Sequence, residues 1–243
     1  MESKTLGIYP ISWELLQNQI YLEQIVYLDM SREYYWSNDF SPKFYIAQAK
    51  AGFMAICESI NGEEILLSEM QRSYAALYFK NLHISQKIST VLRRDKPRLH
   101  ISSDLLEVAN EINRYHKNSW MTSRYMEMLI STEAIDPNFK VISAYIKDGH
   151  KMIAGEIGYM IGCTYSSLSG FSSKEKRYRN YGKVQMVLLA KYLEKKGFTF
   201  WNLGHPYMPY KSTLGASIYT RGQFLNHWQS EISKEILCPL ISK

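Results

Sequence analysis

The sequence predicts an α+β fold built around one mixed sheet, and three observations predict it. Apolar residues alternate through residues 141–146, 152–161 and 163–171, the period of two expected of half-buried strands. A run of helical period then covers residues 181–195. A short strand is expected over 198–203, before a loop that ends in Tyr210-Lys211-Ser212-Thr213-Leu214-Gly215-Ala216. Three strands, a helix and a strand in that order are expected to share one sheet. The rest of the chain is organised around this stretch, from Lys140 to Gln223.

Composition bounds the rest. A chain of 243 residues, 46% hydrophobic and 14% aromatic, can bury a sizeable core as one large domain or two small ones. The net charge of +6 and pI near 9.0 fit a nucleic-acid partner and equally a solvated basic surface. Cys57, Cys163 and Cys238 are far apart and lack the spacing of a zinc site. Their odd number also argues against a disulfide framework, so three reduced thiols in a cytoplasmic protein are expected. No apolar run reaches the roughly 18 residues of a membrane span. The segment Met-Glu-Ser-Lys-Thr lacks a secretory pattern.

Taken in order, residues 1–38 have no clean period, although Tyr34-Tyr35-Trp36 forms an aromatic cluster suited either to a core or to base stacking. Ser41 and Pro42 are a cap and a first helical residue. The helix they start carries Tyr45, Ile46 and Ala49 on one face and stops at Gly52. Strands are expected over 53–57 and 64–67, around the turn dipeptide Asn61-Gly62, and over 74–79. A boundary is placed near residue 75, giving a small α+β domain over 1–75 and the mixed-sheet domain over 76–243. Further elements are a helix over 83–94, a strand over 98–101 and a helix capped by Ser102 or Ser103. That helix buries Leu105, Leu106, Val108, Ala109 and Ile112. A helix over 122–130 and a final one over 221–236 complete the reading.

Two basic groups stand out. Lys174, Lys176, Arg177, Arg179 and Lys183 surround the start of the 181–195 helix, whose free N–H groups can hold phosphate. Arg93, Arg94, Lys96 and Arg98 form the second group, suited to a nucleic-acid backbone. A solvated charged loop is the other account of the first group, and a charged surface connector that of the second. Arg179-Asn180-Tyr181-Gly182 partly matches the phosphate loop of coenzyme A-dependent acetyltransferases, but Val184 breaks the pattern. His205 follows the last strand and is the best-placed histidine for proton transfer. Glu156 interrupts an apolar strand. It faces solvent, or it points inward and needs a cationic partner.

Much of the chain, over roughly residues 36–228, resembles the leucyl/phenylalanyl-tRNA–protein transferases. The resemblance is collinear. It runs through Asp39-Phe40-Ser41-Pro42, Lys50-Ala51-Gly52-Phe53, Leu82-His83-Ile84-Ser85 and Asn118-Ser119-Trp120-Met121. It continues through Phe171-Ser172, Asn180, Lys183, Thr213-Leu214-Gly215-Ala216, Arg221 and Phe224. It implies an acetyltransferase-like (GNAT-type) second domain and transfer of an amino acid from charged tRNA to the α-amine of a protein's N-terminus. It also implies tagging of that protein for degradation, neither metal nor coenzyme, and a monomer. Aminolysis of an already activated ester asks mainly for positioning, removal of the amine's proton and stabilisation of the oxyanion.

By the same resemblance Trp120 stacks on the terminal adenosine. Glu156, Leu168, Gly170, Phe171, Asn180 and Gly204 contact substrate. Ser169, Asn202 and His205 are the candidate catalytic residues, and Arg93, Arg94, Lys176, Arg177, Arg179 and Lys183 contact tRNA. The departures fall in the active centre. Leu168 replaces the family's acid, Gly170 and Glu156 replace two pocket methionines, Asn202 replaces an aspartate, and Gly204 replaces a glutamine with which His205 can align instead. Donor specificity for Leu, Phe or a basic residue such as arginine is expected, with a catalytically altered tRNA- or N-terminus-binding protein, or a coenzyme A-dependent acetyltransferase, as the alternatives.

Overall fold

The structure, a computed structural model, describes residues 7–117 and 119–234. The described residues form two sheets. The smaller has four strands in the order β1-β2-β4-β3: β1 (Ile8–Pro10), β2 (Tyr34–Ser37), β3 (Met54–Ile60) and β4 (Glu63–Glu69). The larger has the order β11-β5-β10-β9-β8-β7-β6. Its strands are β5 (Ser73–Tyr78), β6 (His100–Ser102), β7 (Lys140–Asp148), β8 (Lys151–Ile161), β9 (Thr164–Ser172), β10 (Phe200–Asn202) and β11 (Ser217–Thr220).

Local chemistry explains most element ends. Short helices α1 (Trp13–Gln17) and α2 (Gln19–Tyr21) follow β1, and α3 (Pro42–Lys50) starts where Ser41 Oγ accepts from Phe44 N at 3.4 Å and stops before Gly52 at φ 91°. Asn61 and Gly62 both have positive φ (53° and 85°), the twist a two-residue hairpin needs. The hairpin strands run longer than the expected 53–57 and 64–67. Tyr34-Tyr35-Trp36 is strand β2, with Tyr35 fully buried and Trp36 exposed.

Helix α4 (Gln86–Asp95) begins three residues later than expected. His83 is held instead by Leu214 O and Thr213 O. Strand β6 is likewise displaced by two residues. Helix α5 (Leu106–Tyr115) is led in by Asp104, whose Oδ1 accepts from Leu106 N at 3.0 Å, while the Ser102 hydroxyl accepts from Asp104 N. Leu106, expected on the buried side, is 56% exposed, because the apolar stripe is made by Leu105, Val108, Ala109 and Ile112. Helix α6 (Ser123–Ile135) is capped by Thr122 and runs past the expected end. The chain then forms α7 (Tyr181–Lys195), α8 (Pro209–Thr213) and α9 (Arg221–Ile232). Asn118, Cys238 and the end of the expected last helix lie outside the described residues. Cys57 and Cys163 are both buried. Among the described residues no helix is long and apolar enough to cross a membrane.

The larger sheet is covered on one side by α4 and α7, through Ile142, Ala144, Val187, Leu189 and Trp201. On its other side the smaller sheet, α3, α5, α6 and α9 share one apolar core with it, including Tyr35, Phe44, Ile112, Tyr125, Phe139 and Trp228. Arg221 ties the sheets together. It is fully buried, and its guanidinium donates to five backbone carbonyls, those of Val26, Asp29, Arg32, Met70 and Gln71, at 2.6–3.1 Å.

One feature of the larger sheet positions the site. Every strand pair in it is antiparallel except β9 with β10, which are joined through α7 and run parallel. Their register holds only for Thr164, Tyr165 and Ser166 against Phe200, Trp201 and Asn202. β9 then continues to Ser172 while the chain after Asn202 turns away. The sheet splits there, and the β10-facing backbone groups of β9 beyond Ser166 have no strand opposite.

Candidate active site

A cavity of about 750 Å³ fills the split. Its walls come from both sheets. On the larger sheet Glu156 and Gly170 are direct partners across the β8–β9 ladder, so the two positions that depart from the family's methionine pocket face each other. Leu168, Ser169 and Phe171 line the cavity from β9, and Gly204 and His205 from the loop after β10. Trp120 stands at the same cavity, edge-on to Tyr125 at 5.1 Å, and Asn180 and Lys183 reach it from the start of α7. The residues expected to contact substrate are thus brought together.

Glu156 points inward. Its carboxylate accepts from Tyr165 Oη at 2.9 Å and Ser167 Oγ at 2.8 Å, and Gln185 adds a further bond. Ser167 in turn accepts from Trp201 Nε1 at 2.9 Å. Burial pushes the carboxyl above the usual carboxylate range, against the downward pull of those three donors. The expected cationic partner is not among them. A register irregularity lies next to Glu156, between Ile157 and Gly158, and irregularities of this kind are common beside sites. The Tyr165 hydroxyl passes so close over Gly158 that a Cβ there would lie 2.3 Å from it.

Three expectations change. Asn202, expected to be catalytic, does not line the cavity. It is 1% exposed, and its Oδ1 accepts from Gly204 N at 2.9 Å, so it shapes the turn that holds Gly204. Gly204 itself sits at φ 71°, and a Cβ there would be 3.0 Å from Met54 Sδ. A glutamine cannot take this place without strain. Arg94 is turned onto its neighbour, with a bidentate contact to Asp95 at 2.6 and 2.8 Å. Asp95 also accepts from Tyr181 Oη at 2.8 Å. Through that contact the two basic groups, apart in sequence, meet at the start of α7. Arg93, Lys176 and Arg179 are exposed there, and Arg177 pairs with Glu175 at 3.0 Å. None of these arginines, nor Lys176, lines the cavity; they stand outside it.

The start of α7 bears on the acetyltransferase alternative. Gly182 N already donates to Ser172 Oγ at 3.1 Å, so one donor that a pyrophosphate would use is occupied from within.

Two residues escape the sequence reading. Lys211, on α8, is 4% exposed and lines the cavity. Its ammonium donates to Leu203 O at 2.5 Å and His205 O at 2.6 Å, and burial brings its pKa down to about 8. Glu69, from the smaller sheet, meets His205 Nε2 at 2.8 Å. It lies in a cross-strand row with Tyr34 and Met54, and the next row on the same face brings Leu67 and Ile56 to the cavity. A lysine in a polar loop and a glutamate ending a strand carry no pattern that separates them from solvated residues. Only the polar demand of the neighbouring His205 hinted at a partner.

A second cavity, of about 420 Å³, lies by Trp13, Lys43, Ile46 and Gln229. Lys50 and Asp136, which also line it, pair with each other at 2.8 Å.

The larger sheet thus splits around a partly open cavity, with buried polar groups beside it. The chain belongs to the leucyl/phenylalanyl-tRNA protein transferase family, whose model matches residues 76–229. No curated protein sequence matches it significantly. Solved structures similar to it include FemX, at 10% identity and a TM-score of 0.46, covering 61% of this chain and 60% of that one. L-PGS from Bacillus licheniformis is similar at 12% identity and a TM-score of 0.41, over 71% of this chain and 51% of that one. A GCN5-related N-acetyltransferase from Anabaena variabilis is similar at 11% and 0.41, over 82% and 46%. The chain spans about half to three-fifths of the length of these proteins, and the family assignment does not depend on them.

Proposed function

We propose that this protein moves an aminoacyl group from the 3′ end of a charged tRNA to the α-amine at a protein's N-terminus. The observation that carries the reading is the single cavity joining Trp120, Glu156, Gly170 and His205 in a family of aminoacyl-tRNA-dependent transferases. Its chemistry suits the reaction. An aromatic face is available for the terminal base. Backbone N–H groups of β9 beyond Ser166, where no strand lies opposite, are available for the carbonyl oxygen. The exposed basic residues at the start of α7 are available for phosphates, with salt-sensitive binding as the consequence. The physiological outcome is a changed N-terminal residue, and hence a changed lifetime, for the acceptor protein.

The donor carries a cationic side chain, arginine before lysine. Glu156 is a buried carboxylate held by three neutral donors, and a buried charge is costly until it is paired. A guanidinium entering the cavity supplies the missing counter-charge with a planar pair of donors. The test is transfer from arginyl-, lysyl-, leucyl- and phenylalanyl-tRNA to a short acceptor peptide, read by mass. Leucine transferred in place of arginine sinks the donor assignment but leaves the transfer reading standing.

A second reading has its own observation. Leu168, Asn202 and Gly204 stand where the family resemblance puts an acid, an aspartate and a glutamine, which suits a protein that binds charged tRNA or N-termini without transfer. Retained tRNA binding with no transfer from any charged tRNA favours it.

A further inference from the structure

The residues that the family resemblance would use to move the amine's proton are absent, yet aminolysis still needs a proton acceptor. Three observations converge on one loop. His205 lines the cavity with its ring half exposed, so the ring is accessible to substrate. Its backbone is pinned, because His205 O and Leu203 O both accept from Lys211 Nζ, and the flanking Gly204 O accepts from Ala75 N at 2.8 Å. Its ring is pinned as well. Nε2 meets Glu69 Oε2 at 2.8 Å, and the ring stacks on Tyr207 at 5.9 Å. Glu69 is itself held by Gln71 Nε2 at 3.4 Å and by the Tyr34 hydroxyl. The family match begins at residue 76, so Glu69 and the carboxylate's supports lie outside it.

We propose that His205 is the proton acceptor for the attacking amine and that Glu69 is the residue that positions it. The inference rests on the aminoacyl-transfer reading. Glu69 keeps the ring proton on Nε2, which leaves the lone pair on Nδ1 for the substrate. The α-amine nitrogen attacks the ester carbonyl carbon, and a C–N bond forms as the carbonyl oxygen takes the negative charge. The amine's excess proton passes to Nδ1, and the imidazolium is stabilised by the Glu69 carboxylate. Collapse of the tetrahedral intermediate breaks the bond to the ribose oxygen, which takes that proton back from Nδ1. The products are an amide and a free tRNA hydroxyl, with no proton gained or lost. The smaller sheet then contributes more than a scaffold: without β4 the acceptor's orientation is not set.

The experiment is steady-state transfer to an acceptor peptide by wild type, His205→Gln, Glu69→Gln and the double variant, with whichever charged tRNA wild type uses best. His205→Gln should lower kcat about 100-fold or more, within the range a general base supplies. Glu69→Gln should lower it about tenfold, with KM for the peptide changed by less than about threefold. The double variant should be no slower than His205→Gln alone, because a positioning residue has nothing to position once the ring is gone. A His205→Gln variant with wild-type kcat overturns the assignment. So does a Glu69→Gln loss of the same size in both backgrounds, which marks a structural effect. If wild type transfers from no charged tRNA, the transfer reading falls and takes this assignment with it; active wild type beside a fully active His205→Gln removes the assignment alone.

Discussion

Arg221 and Lys211 are both buried cations whose hydrogen bonds go to backbone carbonyls, and they are held in opposite ways. Arg221 spends its guanidinium on five carbonyls from two separate segments, 26–32 and 70–71. Nothing of it is left for a ligand. Lys211 bonds two carbonyls of one loop, borders the cavity and has a third ammonium position beyond those two bonds. Equal burial therefore does not mean equal purpose. A cation closed by its own chain is a tie, and one left partly open beside a cavity is part of a site.

The largest effect should come from cutting the tie. Arg221→Met leaves five carbonyls without donors and should cost about 3–5 kcal/mol, read as a lowered denaturant midpoint with an unchanged slope. Arg221→Lys should recover only part of this, since one ammonium cannot span five acceptors. If Arg221→Met is as stable as wild type, the comparison fails at its first half.

Lys211→Met should cost less, about 1–3 kcal/mol for two unpaired carbonyls, and should lose more than tenfold in transfer, because the loop carrying His205 is freed. The stability difference from wild type also has a pH signature. The lysine's folded pKa, about 8, lies below its unfolded value near 10.4, so between these the unfolded chain binds more protons. Wild type should therefore gain stability relative to Lys211→Met as pH rises from 8 towards 10, and a flat difference would contradict the burial of the charge.

Glu156→Gln probes the anionic counterpart. Its carboxyl is raised by burial, so the folded protein binds more protons than the unfolded chain as pH climbs above the usual carboxylate range, and wild type loses stability over that window. The glutamine variant should be slightly more stable than wild type at pH 7, and the gain should vanish by about pH 4. In transfer assays it should lose its preference for a cationic donor. The smallest effects belong to the exposed rim. Arg93→Ala or Lys176→Ala should weaken tRNA binding a few-fold for every tRNA alike and reduce the salt slope by about one, without touching stability.

The same contrast explains what the sequence made legible. Strands β7, β8 and β9 and helix α7 have long, regular apolar periods, and their positions were readable to within two residues. Residues 7–37 were not, because strands of three and four residues and brief helical turns show too few apolar repeats to set a period. Leu106 was misplaced because an apolar residue at a helix start fits either face until the packing decides. Within the site, Glu156 was legible as a charge interrupting an apolar strand and His205 as a histidine after the last strand, whereas Trp120 and Gly170 were found because a collinear family pattern pointed to them. Glu69 and Lys211 were not, since their importance comes from contacts across 136 positions of chain and across a tight loop. No local pattern encodes either. Asn202 shows the converse: a residue at a catalytic position of the pattern here turns a loop instead of lining the cavity.

The central claim is aminoacyl transfer from tRNA at the split between β9 and β10. The most direct test is incubation of the full chain with each charged tRNA in turn and a peptide bearing a free N-terminus, followed by mass measurement of the peptide. The account predicts a gain of one amino-acid residue at the α-amine, with arginine the preferred donor. A folded protein that adds nothing from any charged tRNA contradicts it.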